Sequence, residues 1–235
     1  MNPNPFPSNG CQMETQAGYF ATGAPATGPV AFMSHDGHTI VYNYGGFDQF
    51  GEARPTGVCR STDGGKLYTV VKFPGAPPSV NQMVVILFAN DDKHGISAFA
   101  NSNVQPGGYW LYRTADGGAT WEKTALPQHA GSMDLMFGFT SPNGVMWLAG
   151  DDQNGPALWR SNDGGATWTN QSQKLRNAFG NLSNTAVTAA NANVQTAGAY
   201  RYPSGTLHAG FALDDNDIWL GADKGWLLYS STGGQ

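Results

Sequence analysis

The sequence predicts an all-β chain, a propeller of four or five blades in which each blade is a four-stranded antiparallel sheet. Three observations predict it. A phrase recurs, as TADGGATW at 114–121, SNDGGATW at 161–168 and, more loosely, STDGGKLY at 61–68. The first two copies stand roughly 47 residues apart, inside the 20–50 residue range of repeated supersecondary units. Composition is the second observation. The 235 residues include 32 glycines and 14 prolines, only 12% are charged, and 12% are aromatic, enough to fill a core between turns. The third is that apolar runs seldom exceed about seven residues before a turn residue breaks them, the length of strands rather than helices.

Each repeat justifies one hairpin. VCRSTDGGKLY (58–68), LYRTADGGATW (111–121), LWRSNDGGATW (158–168) and LLYSSTGGQ (227–235) begin with β-favouring residues and pass through a Gly-Gly corner. All but the last then resume with an aromatic. Glycine takes the positive φ such a corner needs. The aspartate, present in the first three, accepts hydrogen bonds from backbone N–H groups that the turn leaves orphaned. Trp121 and Trp168, with Tyr68 in the looser copy, are expected to fold over the hairpin and bury apolar area between units. A second hairpin precedes each of these, at 29–44, 83–100, 133–150 and 207–221, with turns rich in Asp, Asn or Gly. Four strands, A to D, in about 45 residues make a propeller blade.

The blades are expected at about 30–73, 83–125, 133–172 and 207–235, with 173–206 an insertion or a degenerate blade. The last unit lacks a fourth strand in the sequence. Residues 1–29, with GYFATG at 18–23, are expected to supply it and close the ring, unless the chain is a piece of a longer propeller. Either remedy answers the hazard of an unpaired sheet edge.

Net charge is −5 with no basic patch, which argues against nucleic acid as a partner. No segment approaches the ~20 apolar residues of a membrane helix, and the opening MNPNPFPSNG has no secretory signal pattern. Cys11 and Cys59 either form one disulfide or remain free; two cysteines fix neither compartment nor pairing.

The repeat resembles the Asp-box, or BNR, repeat S/T-x-D-x-G-x-T-W of sialidase-like and xyloglucanase-like β-propellers. Ser161, Asp163, Gly165, Thr167 and Trp168 match it, as do Thr114, Asp116, Gly118, Thr120 and Trp121. Ser61, Asp63 and Gly65 match in part, and at the last corner Thr232 stands in the aspartate's place. The resemblance implies that Asp63, Asp116 and Asp163, with Trp121 and Trp168, are structural, on the rim away from any ligand. It also implies an extracellular or surface-displayed protein.

The functional face is then the opposite rim, formed by the B–C and D–A loops. These loops place aromatics beside amides, carboxylates and arginine, the mixture that stacks on a sugar ring and holds its hydroxyls. Candidate ligand-binding residues are Phe47, Phe50, Tyr109, Trp110, Asp151, Asp152, Tyr200 and Arg201. Hydrolysis of a glycosidic bond needs two carboxyl groups roughly 5–10 Å apart. The carboxylates on this face are Asp48, Glu52, Asp134, Asp151 and Asp152; Asp134 and Asp48 are the catalytic candidates, Asp134 because it opens the apolar strand LMFGF. Arg60, Arg113 and Arg160 recur at one repeat position, which marks scaffold rather than the convergent arginine triad of a sialidase. AYRYPSG at 199–205 is similar to the Y/F-R-I-P stretch of sialidases, but departs at Tyr202 and falls after the repeats instead of before them. Acidic turns at 90–92, 150–152 and 213–217 have the oxygens for Ca²⁺ but no EF-hand spacing, and the histidines lack zinc-ligand spacing, so no metal or cofactor is expected.

The leading expectation is a carbohydrate-recognising propeller, lectin-like or related to glycoside hydrolases. A protein-docking assembly scaffold and a hydrolase with paired carboxylates are the alternatives. Self-association is a further expectation for partners.

Overall fold

The structure is a computed structural model that describes residues 11, 31–44, 56–76, 83–101, 108–125, 133–152, 154–177, 207–222 and 226–234. Among them the chain forms four antiparallel sheets. The first holds β1 (Ala31–Met33), β2 (Ile40–Tyr44), β3 (Gly57–Ser61) and β4 (Thr69–Lys72). The second holds β5 (Met83–Phe88), β6 (Gly95–Asn101), β7 (Gly108–Thr114) and β8 (Glu122–Thr124). β9 (Met133–Thr140), β10 (Met146–Asp152), β11 (Gly155–Ser161) and β12 (Thr169–Asn170) make the third. The fourth has three described strands, β13 (Leu207–Ala212), β14 (Ile218–Ala222) and β15 (Trp226–Ser230). A helical stretch at 172–177 follows β12.

Strand order follows chain order in every sheet, so each is a meander. The first strands meet one another, β1 against β5, β5 against β9 and β9 against β13. The sheets therefore fan out from their first strands, and the architecture is a β-propeller.

Apolar side chains fill the three gaps between sheets. Val41, Val58 and Phe73 of the first meet Phe88, Phe99 and Trp121 of the second. Val85, Leu87 and Ile96 meet Leu135, Leu148 and Trp159. Phe137, Trp147 and Leu158 meet Leu207, Ile218 and Leu228. A middle sheet is buried on both faces, which is why its strands read as nearly unbroken apolar runs such as MWLAG.

Polar links reinforce the gaps on one rim. Arg60 Nε donates to Gly117 O in the next sheet (2.7 Å), and Arg160 reaches Asp215 O (3.2 Å). His35 N–H donates to Asp92 Oδ2 (2.9 Å), and Ser141 Oγ to Asp215 Oδ1 (2.5 Å). Arg60 and Arg160 thus tie blades together, while Arg113 pairs with Glu122 of its own sheet.

Cys11 is disulfide-bonded to Cys59. With Tyr42 it forms a small cluster flanked by Ile40, Tyr68 and Val70, and the Tyr42 hydroxyl donates to Cys11 O (3.1 Å). Burial, with Tyr68 nearby, pushes the Tyr42 phenol up to about 12. Residues 18–23, expected to close the ring, lie outside the described residues.

Candidate functional site

The two rims differ in chemistry. On the first, each Gly-Gly corner is built from the hydroxyl outward. Ser61, Thr114 and Ser161 donate to Asp63, Asp116 and Asp163 (2.8 Å each) and accept from Gly65 N, Gly118 N and Gly165 N (2.9–3.0 Å). The carboxylates accept further N–H bonds from Leu67, Thr120 and Thr167, and hydroxyl bonds from Thr120 and Thr167. Bonds from Leu67 N–H and the Ser61 hydroxyl hold Asp63 below the usual carboxylate value. Burial acts to raise Asp116 and Asp163, but the Thr120 and Thr167 bonds outweigh it, so both also sit low. These carboxylates are saturated by their own loops and are poorly placed to act as bases.

The A–B turns share this rim. Gly64, Gly117 and Gly233 N–H groups donate to His38, Lys93 and Asn216 carbonyls. Trp121 and Trp168 fold back so that Nε1–H reaches Gly118 O (3.1 Å) and Gly165 O (3.2 Å). Trp121 is buried between sheets 1 and 2, and Trp168 is half-buried against the core between sheets 2 and 3. A cleft of about 540 Å³ opens here, with Asp91, His94, Asn143 and Asp163 in its wall. Asp91 is held by His94 (2.5 Å), and Asp163 by its own corner. Both carboxylates of this cleft are engaged by close neighbours, and we place the candidate site on the opposite rim.

There the geometry centres on sheet 3. Asp134, near the start of β9, is the direct cross-strand partner of Asp151, near the end of β10. This pairing depends on a bulge. From Thr140 to Phe137 the register is regular; it then steps, so that Gly150 meets Leu135 and Met136 is the extra residue. Without that step Asp134 would face Asp152. Directly opposed residues share a face of the sheet, with Cβ atoms about 4.5–5.5 Å apart, and like charges there destabilise the ladder.

Asp152 has a separate partner. It is ion-paired with Arg176 (2.5 Å) and its side chain is only 3% exposed. Its Oδ1 also accepts Asn154 N–H (2.7 Å). Asp152 therefore anchors the helical stretch against β10. Trp110 on β7 stacks with Phe99 (centroids 6.4 Å apart, parallel planes), and the Lys123 ammonium lies 3.5 Å from its ring centroid. Tyr109 pairs with Ala100 in the ladder. Phe47, Asp48, Phe50, Tyr200 and Arg201 lie outside the described residues. Among the described residues no group of three His, Cys, Asp or Glu side chains is arranged to hold a metal ion, and no helix is long and apolar enough to cross a membrane.

Sequence reasoning placed Asp134 and Asp151 on one face but did not pair them across the ladder. It missed Arg176 altogether. A bulge leaves no mark in the alternation of MDLMFGF, and Arg176 reaches Asp152 only through the fold.

No family model matches the chain, and no curated protein matches it in sequence. Among solved structures it is similar to a GH74 enzyme from Niastella koreensis, at 14% identity and a TM-score of 0.52 over 88% of this chain and 28% of that one. It is equally similar to the GH74 xyloglucanase from Xanthomonas campestris, at 14% identity and a TM-score of 0.51 over 88% of this chain and 29% of that one. The chain thus spans less than a third of either protein. At that identity the likeness is one of fold.

Proposed function

We propose that the rim carrying Asp134 and Asp151 binds carbohydrate, and that the corners of the other rim are Asp-box repeats serving as scaffold. The observation that carries the reading is the direct cross-strand placement of Asp134 opposite Asp151. An opposed pair of carboxylates costs a sheet stability. A pair kept at that cost suits a hydroxyl-rich ligand, whose O–H groups donate to carboxylate oxygens. The xyloglucanase among the similar structures suggests β-linked, xyloglucan-type oligosaccharides as the first probe. A disulfide between Cys11 and Cys59 supports an oxidising, extracellular or surface location.

Titration calorimetry with xyloglucan oligosaccharides, backed by a glycan array, tests the reading. Saturable binding is expected, weakened at least about tenfold in Asp134→Asn and Asp151→Asn, the loss of one charged hydrogen bond. Binding that ignores both substitutions, or no binding to any glycan, refutes it.

The same pair favours a second reading, glycoside hydrolysis. Glycoside hydrolysis needs two carboxyl groups ~5–5.5 Å apart in retaining enzymes or ~6.5–9.5 Å apart in inverting ones, and the ladder brings two carboxyl-bearing residues to one end of sheet 3. Reducing-sugar release that either Asn variant abolishes supports hydrolysis, and tight binding without release assigns recognition alone.

A further inference from the structure

The gaps between sheets are not closed alike on the corner rim. Between sheets 1 and 2, Arg60 Nε donates to Gly117 O (2.7 Å), and the Asp92 carboxylate accepts His35 N–H (2.9 Å) and meets His35 Nδ1 (2.8 Å). Between sheets 3 and 4, Arg160 donates to Asp215 O (3.2 Å), and the Asp215 carboxylate accepts from Ser141 Oγ (2.5 Å) and Asn143 Nδ2 (3.3 Å). Each of these gaps has an arginine from the preceding sheet and a carboxylate from the A–B turn of the following one. The gap between sheets 2 and 3 has neither. Arg113, at the repeat position of Arg60 and Arg160, turns to Glu122 of its own sheet. The sheet 3 turn reads Pro142-Asn143-Gly144, so an amide stands where sheet 4 carries Asp215.

The result is the cleft of about 540 Å³, inside the ~300–1,000 Å³ range of small-ligand sites. Its walls are the turns and corner of two inner sheets. In sheets 1, 2 and 4 the first glycine of the corner gives its N–H to the A–B turn, Gly117 to Lys93 O for example (3.0 Å). Gly164, in the cleft wall, makes no such bond among the described residues. The Asn90 and Asn162 side chains are exposed in the same wall, and neither is hydrogen-bonded among the described residues. The carboxylates, by contrast, are spent. Asp91 accepts Lys93 N–H, His94 N–H and His94 Nδ1, and Asp163 accepts the Ser161 hydroxyl with the N–H and hydroxyl of Thr167. Their charge opposes an anion, and their occupied lone pairs leave little for a cation. What is left is one N–H donor and two amides that each donate and accept, a set that hydroxyl groups satisfy because an O–H does both.

We propose that this cleft binds a neutral, polyhydroxylated ligand, a terminal sugar residue of a glycan, with Gly164 N–H, Asn90 and Asn162 as its hydrogen-bonding groups. The sugar hydroxyls replace the waters that a cleft of this polarity otherwise holds. The site lies on the rim opposite Asp134 and Asp151 and does not depend on what that rim binds.

The test is a titration of the whole ¹⁵N-labelled protein with methyl β-glucoside, followed by amide resonances. The Gly164 N–H and the Asn162 side-chain signals should shift saturably, while Gly117 N–H, already bonded to Lys93 O, stays in place. Asn90→Ala and Asn162→Ala should each weaken binding roughly three- to tenfold, the loss of one neutral hydrogen bond. Methyl β-glucuronide, which differs by a carboxylate, should bind at least about tenfold more weakly, because Asp91 and Asp163 repel it. Asn162→Trp, at an exposed position, should block the cleft and abolish the Gly164 shift. The proposal is overturned if Gly164 does not move at tens of millimolar sugar, which would mean a cleft holding water alone, if the glucuronide binds as well as the glucoside, or if both alanine variants bind as wild type.

Discussion

Replacing Trp121 by alanine tests the blade gap directly. The ring is 5% exposed, contacts Phe73 and Phe88 across the gap between sheets 1 and 2, and makes one indole hydrogen bond of 3.1 Å. Truncating a buried Trp costs about 3–5 kcal/mol, because transfer energy and an unfilled cavity add. The upper half of that range is expected, since two aromatic contacts and a carbonyl partner go together. For a chain of this size each kcal/mol moves the melting temperature by about 2–4 °C, so a fall of roughly 8–20 °C should appear by calorimetry or circular dichroism. Trp168 makes the same hydrogen bond but is only half-buried. Trp168→Ala should therefore cost less, ~2–3 kcal/mol. A loss under ~1 kcal/mol at Trp121, or a larger loss at Trp168 than at Trp121, would refute the reasoning.

The other predictions concern backbone, covalent and charge terms. Gly165 has φ +85°, and an added Cβ would lie 2.4 Å from the buried Ile96 Cγ2; at Gly37, φ +71°, it would meet nothing within 4 Å. Gly37→Ala should cost ~1–2 kcal/mol from conformation alone, and Gly165→Ala ~2–5 kcal/mol by adding a clash; equal costs in denaturant melts would contradict the packing. Cys59→Ser opens a loop of sequence separation 48, and chain entropy sets the loss at about 4 kcal/mol, measurable against the wild type with and without reductant. Asp116 and Asp163 have folded pKa values below the ordinary 3.8. Their contribution is complete above the unfolded value and is lost as pH falls through the folded one. Melting temperature should therefore drop below about pH 4, less steeply in Asp116→Asn; an unchanged acid limb would refute it.

The fold was legible because its cues are local. Gly64–Gly65 and Gly117–Gly118 occupy positive-φ conformations that favour glycine, and Ser61 or Thr114 closes its corner within four residues. Strand length and turn chemistry do the rest, sheet by sheet. The site was legible only in part, since its geometry depends on register and on distant segments. Asp134 was visible as a charge in an apolar run, yet its partner follows from a bulge at Met136 that no side-chain pattern announces. The Cys11–Cys59 link depends on a segment remote from sheet 1 in sequence. Trp110 has a sugar-platform composition, but Phe99 and Lys123 already engage its ring.

The bulge also explains how one sheet can serve both rims. On the corner side, Trp147 must point into the gap with sheet 4, where its Nε1–H reaches Gly233 O (3.2 Å). A strand of unbroken alternation would carry that phase unchanged to the other end and set Asp134 against Asp152, whose carboxyl is already committed to Arg176. One extra residue resets the phase, because side chains alternate with period two. Asp134 then faces Asp151 while every apolar position above the bulge keeps its place in the core. Deleting Met136 would consequently remove the bulge while leaving Leu135 opposite Gly150 and Asp134 opposite Asp151, so the pairing on which the proposed site rests should survive as a regular ladder even where blade stability changes.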